Sequence, residues 1–216
     1  MQTATATASA DATAAADATA ATAPTALADA TAPTDAAATT AADVEAVLAR
    51  WIADEAAVRA RLVAPGVATP GQVAGLSGLE FFEAMFAGRL PAPPIGLTLD
   101  FIPVEVAFGR TVFQGRPSLA HYNPLGTVHG GWIATLLDSC VGCAVHSTLA
   151  AGKAYTTAEL KINYVRAVTT RTPLLRAEGR TIHVGGRMAT ADGRLVDAAG
   201  KLYAHASTTC FIFDAA

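Results

Sequence analysis

A chain of 216 residues has room for one ordinary domain and an appendage. Its hydrophobic content of 52% is inflated by alanine, and no stretch reaches the roughly 18 apolar residues needed to cross a bilayer, which argues against a membrane protein. Asp11, Asp17, Asp29 and Asp35 lie in the first forty residues, which hold no Lys or Arg; removing those four from 18 acidic residues leaves 14 against 15 basic ones, a neutral remainder without the basic field of a nucleic-acid binder.

Residues 1–41 are a low-complexity tract of Ala, Thr, Asp and a few Pro. It has too little apolar surface to offset the entropy of ordering and reads as a disordered tail. No secretory or mitochondrial leader is legible there, and three cysteines are too few for a disulfide framework, so the expected compartment is a reducing cytoplasm.

A helical segment is expected over residues 42–92. Val44, Val47, Leu48, Trp51 and Ile52 recur at helical spacing, with Val58 and Leu62 continuing the stripe. Pro65-Gly66 and Pro70-Gly71 punctuate the chain, and Ser77 caps a second helix that carries Leu79, Phe81, Phe82, Met85 and Phe86. Residues 93–216 then read as a separate domain.

From Ile95 the pattern turns to strands: Leu97–Ile102 with Val104–Phe108, a Gly109-Arg110 turn, and Thr111–Gln114. One long apolar helix follows, from about Gly130 to Leu149. Residues 158–165 alternate, with Leu160, Ile162 and Tyr164 on one side and Glu159, Lys161 and Asn163 on the other. Strands over 174–184 and 187–196 come next. Ala199-Gly200 turns into a last strand at 201–213. With no βαβ alternation, an α+β arrangement of one antiparallel sheet wrapped around one buried helix is the economical solution.

Chemistry concentrates between Asn123 and Asp138. His129-Gly130-Gly131 lies where a loop enters the apolar helix, whose free N–H groups suit a developing negative charge. Asp138 is a carboxylate in an otherwise apolar helix, costly unless paired or functional, and burial would favour general-base work near neutral pH. Seven residues of helix separate Asp138 from Gly131, roughly 10 Å along the axis. A carbonyl held at the glycines therefore cannot touch the Asp of its own chain. If both serve one reaction, the Asp comes from a second copy, which predicts a two-fold dimer with antiparallel central helices.

Asn123, then His129-Gly130-Gly131 six residues on, then Asp138 nine residues after the His, resembles the signature of hotdog-fold acyl-CoA thioesterases of the phenylacetate-degradation (PaaI) type. The resemblance extends over about residues 77–213. It implies a hotdog fold and hydrolysis of acyl-CoA to a carboxylic acid and free coenzyme A, with Gly130 and Gly131 amides holding the thioester carbonyl. It further implies that Asp138 of the partner subunit acts as base or nucleophile, that Thr157 (with Thr156 close behind) positions the water, and that Asn123 and His129 line the site. Trp132, Arg166 and Arg187 complete the expected substrate-binding set, the arginines toward coenzyme A phosphates, although solvated strand charge is the simpler reading for any single arginine. The resemblance implies a dimer pairing into a tetramer, and the hydrolysis needs no metal and no cofactor besides the coenzyme A of the substrate; the charge balance and hydropathy predict no nucleic-acid or membrane partner.

Cys140-x-x-Cys143-x-x-His146 drifts around the helix and lacks a second ligand pair, so it reads as small buried thiols. An α/β-hydrolase is excluded by the missing G-x-S-x-G elbow. The alternative from another class is a hotdog module that binds acyl-CoA or an acyl carrier protein without turnover; a hotdog dehydratase resembles a different motif set.

Overall fold

A computed structural model describes residues 40–215. The tail reading falls on residues outside this range, apart from Thr40 and Ala41, which begin the first helix. There the Thr40 hydroxyl accepts the Asp43 N–H at 3.2 Å while the Asp43 carboxylate accepts the Thr40 N–H at 3.0 Å. This reciprocal cap satisfies two otherwise orphaned donors and starts α1 (Ala41–Arg59). Ser77 and Glu80 repeat the device ahead of α3 (Gly78–Phe86), after the single turn α2 (Pro70–Val73).

The strand expected from Leu97 begins later. Pro94 to Leu99 forms a short helix, α4, because Pro94 at its first position is already set at helical φ. It stops at Asp100, in the left-handed region at φ 48°, where Arg59 holds the carboxylate at 2.8 Å. Then come β1 (Phe101–Ala107), β2 (Arg110–Gly115), the central helix α5 (Gly130–His146), β3 (Lys153–Tyr164), β4 (Leu175–Val184), β5 (Met188–Val196) and β6 (Leu202–Asp214).

The six strands form one sheet in the order β1-β2-β4-β5-β6-β3, every neighbouring pair antiparallel. This is the hotdog arrangement: the sheet curls around α5, whose Leu136, Leu137, Cys140, Val141, Ala144 and Val145 are fully buried.

A row of small residues across the sheet sets the depth and register of that helix. Thr111 on β2 pairs with Gly179 on β4, which pairs with Gly193 on β5, which pairs with Ala206 on β6. A Cβ on Gly179 would lie 2.4 Å from the Cys140 carbonyl oxygen, and one on Gly193 would lie 2.7 Å from Val141 Cγ1. Only glycine lets the helix come this close. Beside them the Thr111 hydroxyl donates to the Cys140 carbonyl at 2.6 Å. The helix is thereby pinned half a turn beyond Asp138.

The opposite face of β1, β2 and β4 carries α1. Val58 packs there against Ile102, Val104 and Val112. Beside this patch lies a buried polar network. Gln114 donates to Glu55 at 2.8 Å and accepts from Arg176 at 2.8 Å, while Arg176 also reaches Asp54 and sits 4.7 Å over the Trp51 ring. Arg176 is therefore a structural residue, 8% exposed, and not the solvated strand charge that simple counting suggests.

Candidate active site

His129 forms the N-cap of α5, and its Nδ1 accepts the Gly131 N–H at 2.8 Å. Its backbone is tied down as well: His129 N–H donates to the His121 carbonyl at 2.7 Å, and the preceding Val128 N–H to Val168 at 2.9 Å. One of the two amides expected at the carbonyl is thus engaged by the protein's own imidazole. The Gly130 N–H makes no hydrogen bond among the described residues.

Gly130 is confined by a residue that sequence reasoning passed over. Tyr164, the last residue of β3, donates its hydroxyl to the Gly130 carbonyl at 3.1 Å, and its ring would lie 3.3 Å from a Cβ at that glycine. In sequence Tyr164 was one more apolar position of an alternating strand; its bond across 34 residues has no local signature.

Asn123 spends its side chain on its own loop. Its Oδ1 accepts the Leu125 and Thr127 N–H groups at 2.9 and 3.3 Å, and its Nδ2 donates to the Thr127 hydroxyl at 3.0 Å. This is an Asx-type turn that shapes the approach to His129. Asn123, Gly130, Tyr164 and Arg166 together line a cleft of about 300 Å³, where Arg166 is anchored through its guanidinium to the Leu202 carbonyl at 2.8 Å.

Asp138 lies elsewhere on the helix, half-buried, with Oδ1 accepting the Thr157 hydroxyl at 3.0 Å. Its Oδ2 makes no hydrogen bond among the described residues. A bulge in β3 makes this pairing possible. The register against β6 slips between Thr157 and Glu159, so Tyr155 and Thr157 face α5 before the bulge and Leu160 and Ile162 face it after. Were the strand regular, with Ala158 paired in register instead of bulged, the strand that buries Leu160 would turn Thr157 outward.

Gly130 and Asp138 are eight residue steps apart in regular helix, ~12 Å along the axis. The Gly130 cleft and the Asp138–Thr157 pair are therefore two separate places on one chain. Thr156 is exposed on the other face of β3, in a row with Phe211 and Met188, and exposed Arg187 immediately precedes that row. Trp132 belongs to the core: it is 3% exposed, donates its indole N–H to the Leu99 carbonyl at 2.7 Å and stacks on His121 at 5.4 Å. It holds α4 against α5 and offers little surface to a ligand.

The cysteines are poor nucleophiles. Burial pushes the Cys143 thiol up to about 12 and Cys140 well above its ordinary range, so both stay protonated. His146 is held below its usual value by burial and is neutral at pH 7. Among the described residues no three His, Cys, Asp or Glu side chains gather as a metal-ligand group, and no helix is long and apolar enough to cross a membrane.

Comparison with known proteins agrees with the fold. The thioesterase superfamily model matches residues 125–204, which spans His129 to Thr157. A phenylacetic acid degradation-related protein of Ralstonia eutropha JMP134 superposes with a TM-score of 0.56 at 29% identity, over 61% of this chain and 98% of its own. AziG of S. sahachiroi (TM-score 0.55, 18% identity, 57% and 99% covered) and PaaI of the E. coli phenylacetic acid degradation operon (0.54, 18%, 63% and 93%) share the fold. The matched segment and the sheet wrapped around α5 give this chain the hotdog fold and make it similar to proteins of the thioesterase superfamily, among them the phenylacetic acid degradation-related protein.

Proposed function

We propose that the protein hydrolyses acyl-CoA thioesters to a carboxylic acid and free coenzyme A, with Asp138 as the catalytic carboxylate. The observation that carries this reading is the Thr157 hydroxyl on Asp138 Oδ1 at 3.0 Å. That bond fixes the carboxylate's orientation and leaves Oδ2 open for a water or an acyl carbon. As general base, Oδ2 takes a proton from water while the hydroxide adds to the thioester carbon. As nucleophile it forms a mixed anhydride that water then cleaves, and in either path the sulfur leaves as coenzyme A thiol.

The carbonyl oxygen is held by the Gly130 N–H of a second copy, since the helix spacing keeps Gly130 and Asp138 of one chain ~12 Å apart. Gly131 contributes indirectly, its N–H locking His129 as the cap. Among the described residues the long edge strand β3 pairs with β6 alone, and its free edge is available to pair with the same strand of the second copy. This supports a homodimer with two equivalent sites. Arg166 at the rim of the Gly130 cleft suits a coenzyme A phosphate.

Thiol release from a panel of acyl-CoAs tests the reading. Asp138→Asn is expected to lower kcat by about 10²–10⁴-fold with the fold intact, and Thr157→Val by less. Equal turnover in wild type and Asp138→Asn would remove Asp138 from the chemistry. Tight acyl-CoA binding without turnover would favour the non-catalytic module, a reading weakened by an Asp138 that is oriented by Thr157 and not turned away.

A further inference from the structure

The seam between α5 and β3 continues past Asp138. One turn on, Gly142 faces Tyr155, whose ring would lie 3.0 Å from a Cβ at that glycine. Another turn on, His146 packs against Tyr155 at 5.5 Å and Phe81 at 5.2 Å. Asp138, Gly142 and His146 thus follow one helix face, while Thr157, Tyr155 and Lys153 follow the inward face of β3.

The seam ends in space. A cavity of about 660 Å³ lies between Pro70–Leu76, Phe81, His146 and the start of β3. A second of about 330 Å³ shares Phe81, His146 and Tyr155 with it and extends toward Met85 and Phe113. Volumes of ~300–1,000 Å³ are those of small-molecule sites. The wall formed by Val73, Ala74 and Leu76 lies upstream of the segment that matches the thioesterase superfamily. Tyr155 and Phe81 add apolar surface, His146 is neutral, and the one charged lining residue, Lys153, is ion-paired with Asp214.

Resting on the proposed hydrolysis at Asp138, we infer that this cavity receives the far end of the acyl group, and that the substrate is a thioester of a straight aliphatic acid of medium length. The distance from Asp138 to His146 is ~12 Å along the helix, so an acetyl group placed at the carboxylate cannot reach the cavity. An extended chain follows the seam once the Tyr155 ring swings off Gly142, and buries its terminal methylenes, each contributing about 0.8 kcal/mol in transfer from water. A phenylacetyl group is too short to use the same wall.

The test compares acetyl-, phenylacetyl- and decanoyl-CoA on wild type and on Ala74→Trp, which fills the cavity from its exposed wall. Decanoyl-CoA is expected to be the best substrate, and Ala74→Trp to lower its kcat/KM by about tenfold or more while acetyl-CoA is unchanged. Phe81→Ala, which enlarges the cavity, should move the optimum toward a longer chain. Preference for acetyl or phenylacetyl, or a decanoyl rate indifferent to both variants, overturns the inference and leaves the thioesterase standing. If no thioester is turned over, calorimetric titration with decanoyl-CoA decides the cavity separately. Binding weakened in Ala74→Trp keeps the inference; binding that is absent or unaltered overturns it.

Discussion

The two faces of the sheet are built on opposite principles. The face toward α5 is apolar and close-packed, with Gly179 and Gly193 cut away to admit the helix backbone. The face toward α1 holds charges out of water: Glu55, Gln114 and Arg176 are 6%, 1% and 8% exposed and are joined by hydrogen bonds of 2.8 Å. Packing forces fix the first face, where steric fit decides the register. Directional bonds fix the second, where each buried charge requires its partner. The functional consequence is a division of labour: the α5 face positions Asp138, while the α1 face locks the N-terminal helix over the sheet.

Breaking the polar face should have the largest effect. Arg176→Ala leaves the buried Gln114 Oε1 without its donor, takes Asp54's partner away and removes the cation over Trp51, so a loss of about 3–5 kcal/mol is expected in chemical denaturation. A loss under ~1 kcal/mol would mean that the network is solvated and that the contrast between the faces is weaker than drawn.

The apolar face breaks by a different rule. Gly179→Ala meets a backbone carbonyl at 2.4 Å, whereas Gly193→Ala meets a Val141 methyl at 2.7 Å. Overpacking of this kind costs about 1–3 kcal/mol, with Gly179→Ala the worse of the two and the one that disturbs activity by displacing Cys140 and with it Asp138. Equal melting temperatures and unchanged turnover in both variants would count against glycines setting the register of α5.

Acid separates the faces more gently. Burial acts to raise the Glu55 carboxyl, but hydrogen bonds from Arg59 and Gln114 and the charges of Arg116 and Arg59 outweigh it and hold the group below its ordinary value of 4.5. Glu178 behaves alike, burial being outweighed by Arg110 and Arg180. A depressed folded-state value stabilises fully above 4.5, and that contribution is lost as pH falls through the folded value. Thermal unfolding followed downward from about pH 6 should therefore lose Tm more steeply in wild type than in Glu55→Gln; parallel curves would place the acid sensitivity elsewhere.

Legibility followed the same division. The central helix, the antiparallel run and the His129-Gly130-Gly131 entry were readable because each rests on periodicity or on a residue type with a local role. The short helix at Pro94–Leu99 was missed because its alternating Leu97 and Leu99 mimic a strand, and the prolines ahead of it decide the matter. The buried role of Arg176 was illegible: a charge reads as solvated until α1, 122 residues away at Asp54, is laid over it.

The candidate site divides likewise. Sequence alone determined that Asp138 sits in an apolar helix, that glycines open that helix, and that helix rise keeps the two apart. Those are matters of local composition and of a fixed 1.5 Å rise per residue. Tertiary structure alone decided that Thr157 and not Thr156 meets Asp138, through a bulge whose register depends on β6. It alone decided that Tyr164 closes on Gly130, that His129 takes the Gly131 amide, and that Trp132 is a wall of the core. The physical reason is common to all of them: spacing along a chain sets which residues share a face, and only the folded neighbours set what that face touches.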